Sequence, residues 1–201
     1  MGKKKQFDEE EILTLIAKHF WKHGYTATKV DQLATLTGLT KTSIYNAFGN
    51  KEALFLHVID LYIENSLNFQ RQNIDTNKSM SDNLRQIFEL VFLSENNKQL
   101  AYGCLITNSI LELADNEPKL YAKVTSGFDQ MRHEMQHFFS YYGEHQKLVP
   151  TMSIDALTDL FMTFIQGLRV QSRNREPIDA LKHSIDAFLN LISSLEINQD
   201  G

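Results

Sequence analysis

One segment, Thr28 to Lys51, narrows the possible folds of this chain more than any other. Two short apolar-periodic stretches, roughly Val30 to Leu36 and Lys41 to Phe48, flank a single glycine. Ala34 is the small residue needed where a second helix crosses the first. Four residues later Gly38 permits the positive φ of a sharp turn between them. Leu33, Leu39 and Ile44 fall where two such helices and a supporting helix bury apolar side chains. Thr40 can cap the second helix by accepting from the free amides of its first turn. Lys41, Thr42 and Ser43 then project from that N-terminus, the end of a helix-turn-helix that reaches base edges and phosphates.

Charge is distributed as such a unit requires. The chain of 201 residues is acidic overall, at −5, yet residues 1–51 carry eight lysines against five acidic side chains. The remainder carries twelve basic against twenty acidic residues. A mildly basic head on an acidic body implies that only the head meets phosphate. The head is not basic enough to hold DNA by charge alone, so base contacts and a second copy have to contribute.

Only three prolines and nine glycines interrupt the chain, which predicts long helices and no strands. Lys3 to Lys5 are followed by the acidic cluster Asp8 to Glu11, so no secretory signal is expected. No apolar run approaches the roughly 20 residues needed to cross a bilayer. The single Cys104 has no internal partner for a disulfide, which fits a reducing cytosol.

A first helix is predicted from Asp8 to Lys22, with Ile12, Leu15, Ile16 and Phe20 on one stripe and Gly24 ending it. Asn50 caps a longer helix through Leu54, Phe55, Val58, Leu61 and Tyr62 that ends near Ile74. A loop from Asp75 to Ser81 precedes helices near Asp82 to Leu93 and Gly103 to Leu113. Pro118 opens another that ends at Gly143. Two final helices carry Ile154, Leu157, Phe161, Phe164 and Leu168, then Ile178, Leu181, Ile185, Phe188, Ile192 and Leu195, at alternating spacings of three and four. Additional apolar residues, Leu160, Ile165, Leu189 and Leu191, widen both stripes, and a helix with two apolar faces has two partners. The expected dimer interface is a four-helix bundle of this pair and its copy, through Ile154, Leu157, Phe161, Leu168, Leu181, Ile185, Phe188 and Ile192.

In this order the features resemble the TetR family of bacterial transcriptional repressors, in its AcrR-like branch. The resemblance is most specific over residues 12–59, in Gly24-Tyr25, Thr28, Val30, Leu33-Ala34, Gly38, Ile44-Tyr45, Phe48 and Lys51-Glu52-Ala53-Leu54-Phe55. A Gly-Cys-Leu-Ile-Thr-Asn segment at 103–108 is similar to one found in several members. The resemblance implies an all-α protein of about nine helices. Residues 1–50 would form the helix-turn-helix DNA-binding domain, and residues 51–201 a ligand-binding and dimerisation domain. It implies DNA contacts from Thr28, at phosphate, and from Thr40, Lys41, Thr42 and Ser43 at the recognition-helix tip. Tyr45 and Lys51 would meet the backbone. Asn46 departs from the family pattern, and its amide could pair with adenine or with phosphate.

The family also implies a double-stranded operator, a homodimer and a small apolar or amphipathic effector in the second domain. Candidate lining residues are Tyr62, Phe88, Phe92, Cys104, Asn108, Phe128, Met131, Met135 and Phe164. No cofactor or membrane partner is expected. A thiol near a helix N-terminus can have its thiolate stabilised, so an electrophile- or redox-sensing version would act through Cys104.

A competing motif lies in the middle of the chain. His133-Glu134-Met135-Gln136-His137 has the His-Glu-x-x-His pattern of zinc hydrolases. On a helix that buries Met131, Met135 and Phe138, both imidazoles point about 200° away, toward solvent. Ser140 and Gly143 stand where the longer version needs glycine and histidine. An exposed helical face is expected there, not a catalytic metal site.

Overall fold

The structure is a computed structural model that describes residues 8–94, 100–145, 148 and 152–196. Lys3 to Lys5 lie outside the described residues. Nine α-helices make up the described chain, and no strand occurs among them: α1 (Glu9–His23), α2 (Val30–Thr37), α3 (Lys41–Phe48), α4 (Lys51–Asn73), α5 (Met80–Phe88), α6 (Leu105–Leu113), α7 (Pro118–Glu144), α8 (Ile154–Arg173) and α9 (Ile178–Ser193). The π turn Glu89–Leu93 continues α5, and a 3-10 turn, Leu100–Tyr102, precedes α6.

Packing divides the chain into two compact units, residues 1–64 with 105–128, and residues 65–104 with 129–201. A cut at residue 50 follows the helix-turn-helix along the sequence, whereas packing groups 51–64, α6 and the start of α7 with it.

In the first unit, Asp8 starts α1 by accepting from the amides of Glu10 and Glu11 at 3.0 and 3.4 Å. The stripe Ile12, Ile16 and Phe20 is buried, with Phe20 edge-on to Phe55 of α4 at 5.1 Å. Leu33, Ile44 and Phe48 complete the small core, together with Leu54, Val58, Ile59 and Ile63. Asn50 caps α4 by accepting from Ala53 N–H at 2.8 Å. Ion pairs Lys119–Glu52 and Lys123–Asp60 join α7 to α4. Gly127 allows the two helices to approach closely, since a Cβ there would strike the Ile63 side chain.

In the second unit, Ser79 caps α5 through Asp82 N–H at 3.0 Å. From the far end of the chain, Glu196 accepts from Met80 N–H at 2.6 Å, and a carboxylate at a helix N-terminus is well placed. An aromatic core surrounds Phe88. Phe92, Phe161, Phe164 and Phe188 lie 5.8–6.2 Å from it, and Phe164 stacks on Phe188 at 4.0 Å. Asn83 is fully buried and satisfied on both ends of its amide. It accepts from Asp75 N–H at 2.7 Å and donates to Asp75 O, Ser79 O and Tyr142 Oη at 2.9–3.0 Å.

The α8–α9 pattern requires a correction. Leu157, Phe161, Leu168, Leu181, Ile185, Phe188 and Ile192 are all buried within one protomer, and Ile154 is half-buried beside them. The regular seam is this chain's own core, because it faces α5 and the remaining helices of the unit. The face left open carries Leu160, Thr163, Gly167 and Val170 on α8, with Ala180, Ala187 and Leu191 on α9.

Candidate nucleic-acid interface

The helix-turn-helix is built as the sequence dictates. Gly38 ends α2 at φ +69°, in the left-handed region where a Cβ is strained. Thr40 then caps α3 by accepting from Ser43 N–H at 3.1 Å, and its hydroxyl lies 2.9 Å from that of Ser43. Ile44 and Phe48 are buried, which rotates the opposite face of α3 outward. That face presents Lys41, Thr42, Tyr45 and Asn46, all exposed, with Tyr45 at 42%. Lys41 forms an exposed ion pair with Asp31 of α2 at 2.5 Å. Such a pair stabilises little and leaves the ammonium free to exchange partners. Leu36 is also exposed on α2, at 43%, and its apolar spacing gave no sign of that.

Two of the expected contacts differ in position. Thr28 is only 1% exposed, and its hydroxyl donates to Gly24 O at 2.6 Å. It therefore orders the turn between α1 and α2 and is corrected from phosphate contact to structural residue. Ser43 is half-buried, with its hydroxyl spent on the Thr40 cap. Lys51, the first residue of α4, is half-buried with its ammonium 4.3 Å above the Tyr25 ring. Burial pulls its pKa down, while Glu112 and Glu117 push it back up, so the cation is held in place by surrounding groups. Burial also raises the Tyr25 pKa, with help from Glu117 and Glu52.

Glu112 escaped sequence reasoning. From the last turn of α6 its carboxylate accepts from the amides of Tyr25 at 3.0 Å and Thr26 at 2.6 Å. No local pattern joins residues separated by more than 80 positions.

The residues expected to line an effector site belong to both packing units: Tyr62, Asn108 and Phe128 to the first, and Phe88, Phe92, Cys104, Met131, Met135 and Phe164 to the second. Tyr62 is half-buried and edge-on to Trp21 at 5.1 Å. Phe88 packs against both Phe92 and Phe164, Phe164 stacks on Phe188, and Arg169 lies 4.9 Å over Phe92. Met135 is buried, its sulfur accepting from Gln70 at 3.1 Å. Cys104 is buried, out of reach of a bulky electrophile. Asn108, Phe128 and Met131 are half-buried. A cavity of about 420 Å³ lies instead at the α7–α8 end of the second unit, lined by Ser140, Gly143, Leu148, Met152, Ile154, Leu157 and Leu195 among others. None of the nine expected residues is in its wall.

The His-Glu-x-x-His segment lies on α7 with both imidazoles exposed. Glu134, which a zinc hydrolase would need as a free base, accepts from Nε and Nη2 of Arg71, at 2.8 and 3.0 Å. That hydrogen bonding lowers its pKa, which makes it a poorer base still. The pair is a helix-to-helix tie between α4 and α7.

This arrangement, a capped and exposed recognition helix on a three-helix head, defines a helix-turn-helix regulator. The family model for bacterial regulatory proteins of the tetR family matches residues 12–58, and the tetracyclin repressor-like C-terminal domain matches residues 81–188. The chain belongs to the TetR family of transcriptional regulators. It is 26% identical over 191 residues to the HTH-type transcriptional repressor ComR of Escherichia coli (strain K12), covering 94% of this chain and 91% of that protein. An uncharacterized HTH-type regulator of Bacillus subtilis (strain 168), YezE, is 28% identical over 120 residues, 60% of this chain and 62% of its own. A TetR regulator from Chloroflexus aurantiacus J-10-FL shares the fold with a TM-score of 0.80 at 23% identity, over 93% of this chain and 94% of that one. A cysteine mutant of the TetR-family regulator CifR, complexed with 26-base-pair operator DNA, superposes with a TM-score of 0.80 at 21% identity, over 94% and 98%. Among the described residues no helix is long and apolar enough to cross a membrane.

Proposed function

We propose that this regulator is a cytoplasmic repressor that binds a palindromic operator as a homodimer and is released by a small apolar or amphipathic effector. The observation that carries the DNA reading is the outward face of α3. Its capped N-terminus, Lys41, Thr42, Tyr45 and Asn46 are exposed together while Ile44 and Phe48 anchor the opposite side. ComR is named a repressor and CifR is seen on operator DNA, which supports the same role here.

The dimer is supported by the open face of α8 and α9. Leu160, Val170, Ile178 and Leu191 are 36–61% exposed. A Cβ on Gly167 would meet nothing within 4 Å. A mid-helix glycine costs roughly 1 kcal/mol relative to alanine, and close approach of a partner helix is a reason to keep it. Two copies would set recognition helices about 34 Å apart in successive major grooves. An effector must bind one head spacing better than the other, with a coupling of about 1–3 kcal/mol. The α7–α8 cavity, mostly apolar with Ser140, Glu144 and Ser153 at its wall, suits an amphipathic compound.

Mobility shift with fragments flanking the gene, joined to native mass spectrometry, tests the reading. The wild type is expected to be a dimer that shifts one palindromic fragment, and Leu191→Glu a monomer that does not. A wild type that stays monomeric at micromolar concentration and ignores every fragment at low salt refutes it.

A further inference from the structure

The turn between α1 and α2 is held from outside the helix-turn-helix. Gly24 stands at φ +83° and ψ 171°, a conformation essentially restricted to glycine. A Cβ at that position would lie 2.6 Å from a Glu112 carboxylate oxygen. Glycine is thus required twice, by the backbone and by the approach of α6. Through the opening, Glu112 accepts from Tyr25 N–H and Thr26 N–H at 3.0 and 2.6 Å. On the other side of the turn, the Thr28 hydroxyl donates to Gly24 O, and Gly24 N–H donates to Phe20 O at 2.7 Å. The Tyr25 ring packs on Phe55 at 4.9 Å and carries the Lys51 ammonium. One short turn therefore gathers α1, α2, α4 and α6.

We propose that Glu112 is a positioning residue for DNA recognition: its carboxylate fixes the α1–α2 turn and so sets the attitude at which α2 and α3 meet an operator. The inference rests on the operator-binding reading above. Hydrogen bonds to an ionised acceptor are the stronger kind, and two from adjacent amides define a direction as well as a distance. Without them Tyr25 N–H and Thr26 N–H have no acceptor in the fold, and the turn samples other orientations. An operator accepts only one orientation of both heads, so its apparent affinity falls with the competent fraction. Non-specific contact to phosphate is less demanding of geometry and is largely spared.

The test compares Glu112→Ala and Glu112→Gln with wild type on the selected operator duplex and on a random duplex of equal length. Thermal unfolding and amide exchange at Tyr25 and Thr26 are followed in parallel. Expected for Glu112→Ala are about a tenfold loss of operator affinity and binding to random duplex within about twofold. Its melting temperature should change little, and both amides should exchange faster. Glu112→Gln, which keeps one acceptor oxygen, should recover part of the loss. Unchanged operator affinity overturns the proposal, as do amides that stay protected or an equal loss on both duplexes with a lower melting temperature. A wild type that binds neither duplex instead defeats the regulator reading and this one with it, and is told apart because the loss does not depend on the variant.

Discussion

Thr42 on α3 and Lys51 at the start of α4 separate the two jobs expected of a DNA-binding surface. Thr42 is exposed one residue inside the capped N-terminus, whereas Lys51 opens the next helix against Tyr25. Thr42→Ala should change base preference in a binding-site selection. Lys51→Ala should weaken all sequences alike and reduce the slope of log affinity against log salt by about 1. Asn83 shows the other use of a polar residue. Truncating it strands Asp75 N–H and leaves the Tyr142 hydroxyl without its donor in a site closed to water. Asn83→Ala should cost about 3 kcal/mol, read from the denaturant midpoint at constant m. Tyr142 in the same network is pushed from 10.0 up to about 12, chiefly by burial. Its folded-state pKa is raised, so the stability it contributes is complete below pH 10 and is lost as pH rises through about 12. Stability should therefore fall between those values, and Tyr142→Phe should flatten that limb while lowering stability at neutral pH by loss of the bond to Lys78 O.

Elements were legible where their signals are local. Thr40 and Asn50 stand where caps are expected, and each accepts an amide of its helix's first turn, while Asp8, expected as the first residue of α1, is its cap. α3 spans Lys41–Phe48 as its periodicity predicts, and Pro118 is the first residue of α7. The helix expected from Asp82 starts instead at Met80, because Ser79 caps it and Glu196 supports its first amides from the opposite end of the sequence. The helix expected from Gly103 begins at Leu105, since Gly103 turns at φ +72°. On α8 and α9 the period was right and its destination was not. A three-four spacing states which residues share a face, and a helix with two apolar faces leaves open which one its own chain covers. Phe161 and Phe188 went inward, around Phe88, with Leu157, Leu168, Leu181, Ile185 and Ile192 of the seam, while Leu160, Val170, Ile178 and Leu191 stayed outside.

At the scale of the whole chain, charge is divided between a basic head and an acidic remainder, and that division holds whatever the packing. Salt should weaken operator binding only moderately, because the head carries just eight lysines against five acidic residues and few cations can meet phosphate. The sequence alone determined the all-α class, the helix-turn-helix with its turn glycine and cap, and the exposed character of His133 and His137. All of these follow from contacts within a few residues or from periodicity. Tertiary structure alone decided that Thr28 faces inward, that the α8–α9 seam is core, that Glu134 belongs to Arg71 and that Glu112 reaches the amides of Tyr25 and Thr26. Each of these depends on which distant side chain arrives to satisfy a polar group or cover an apolar face, and chain-local chemistry does not encode that arrival.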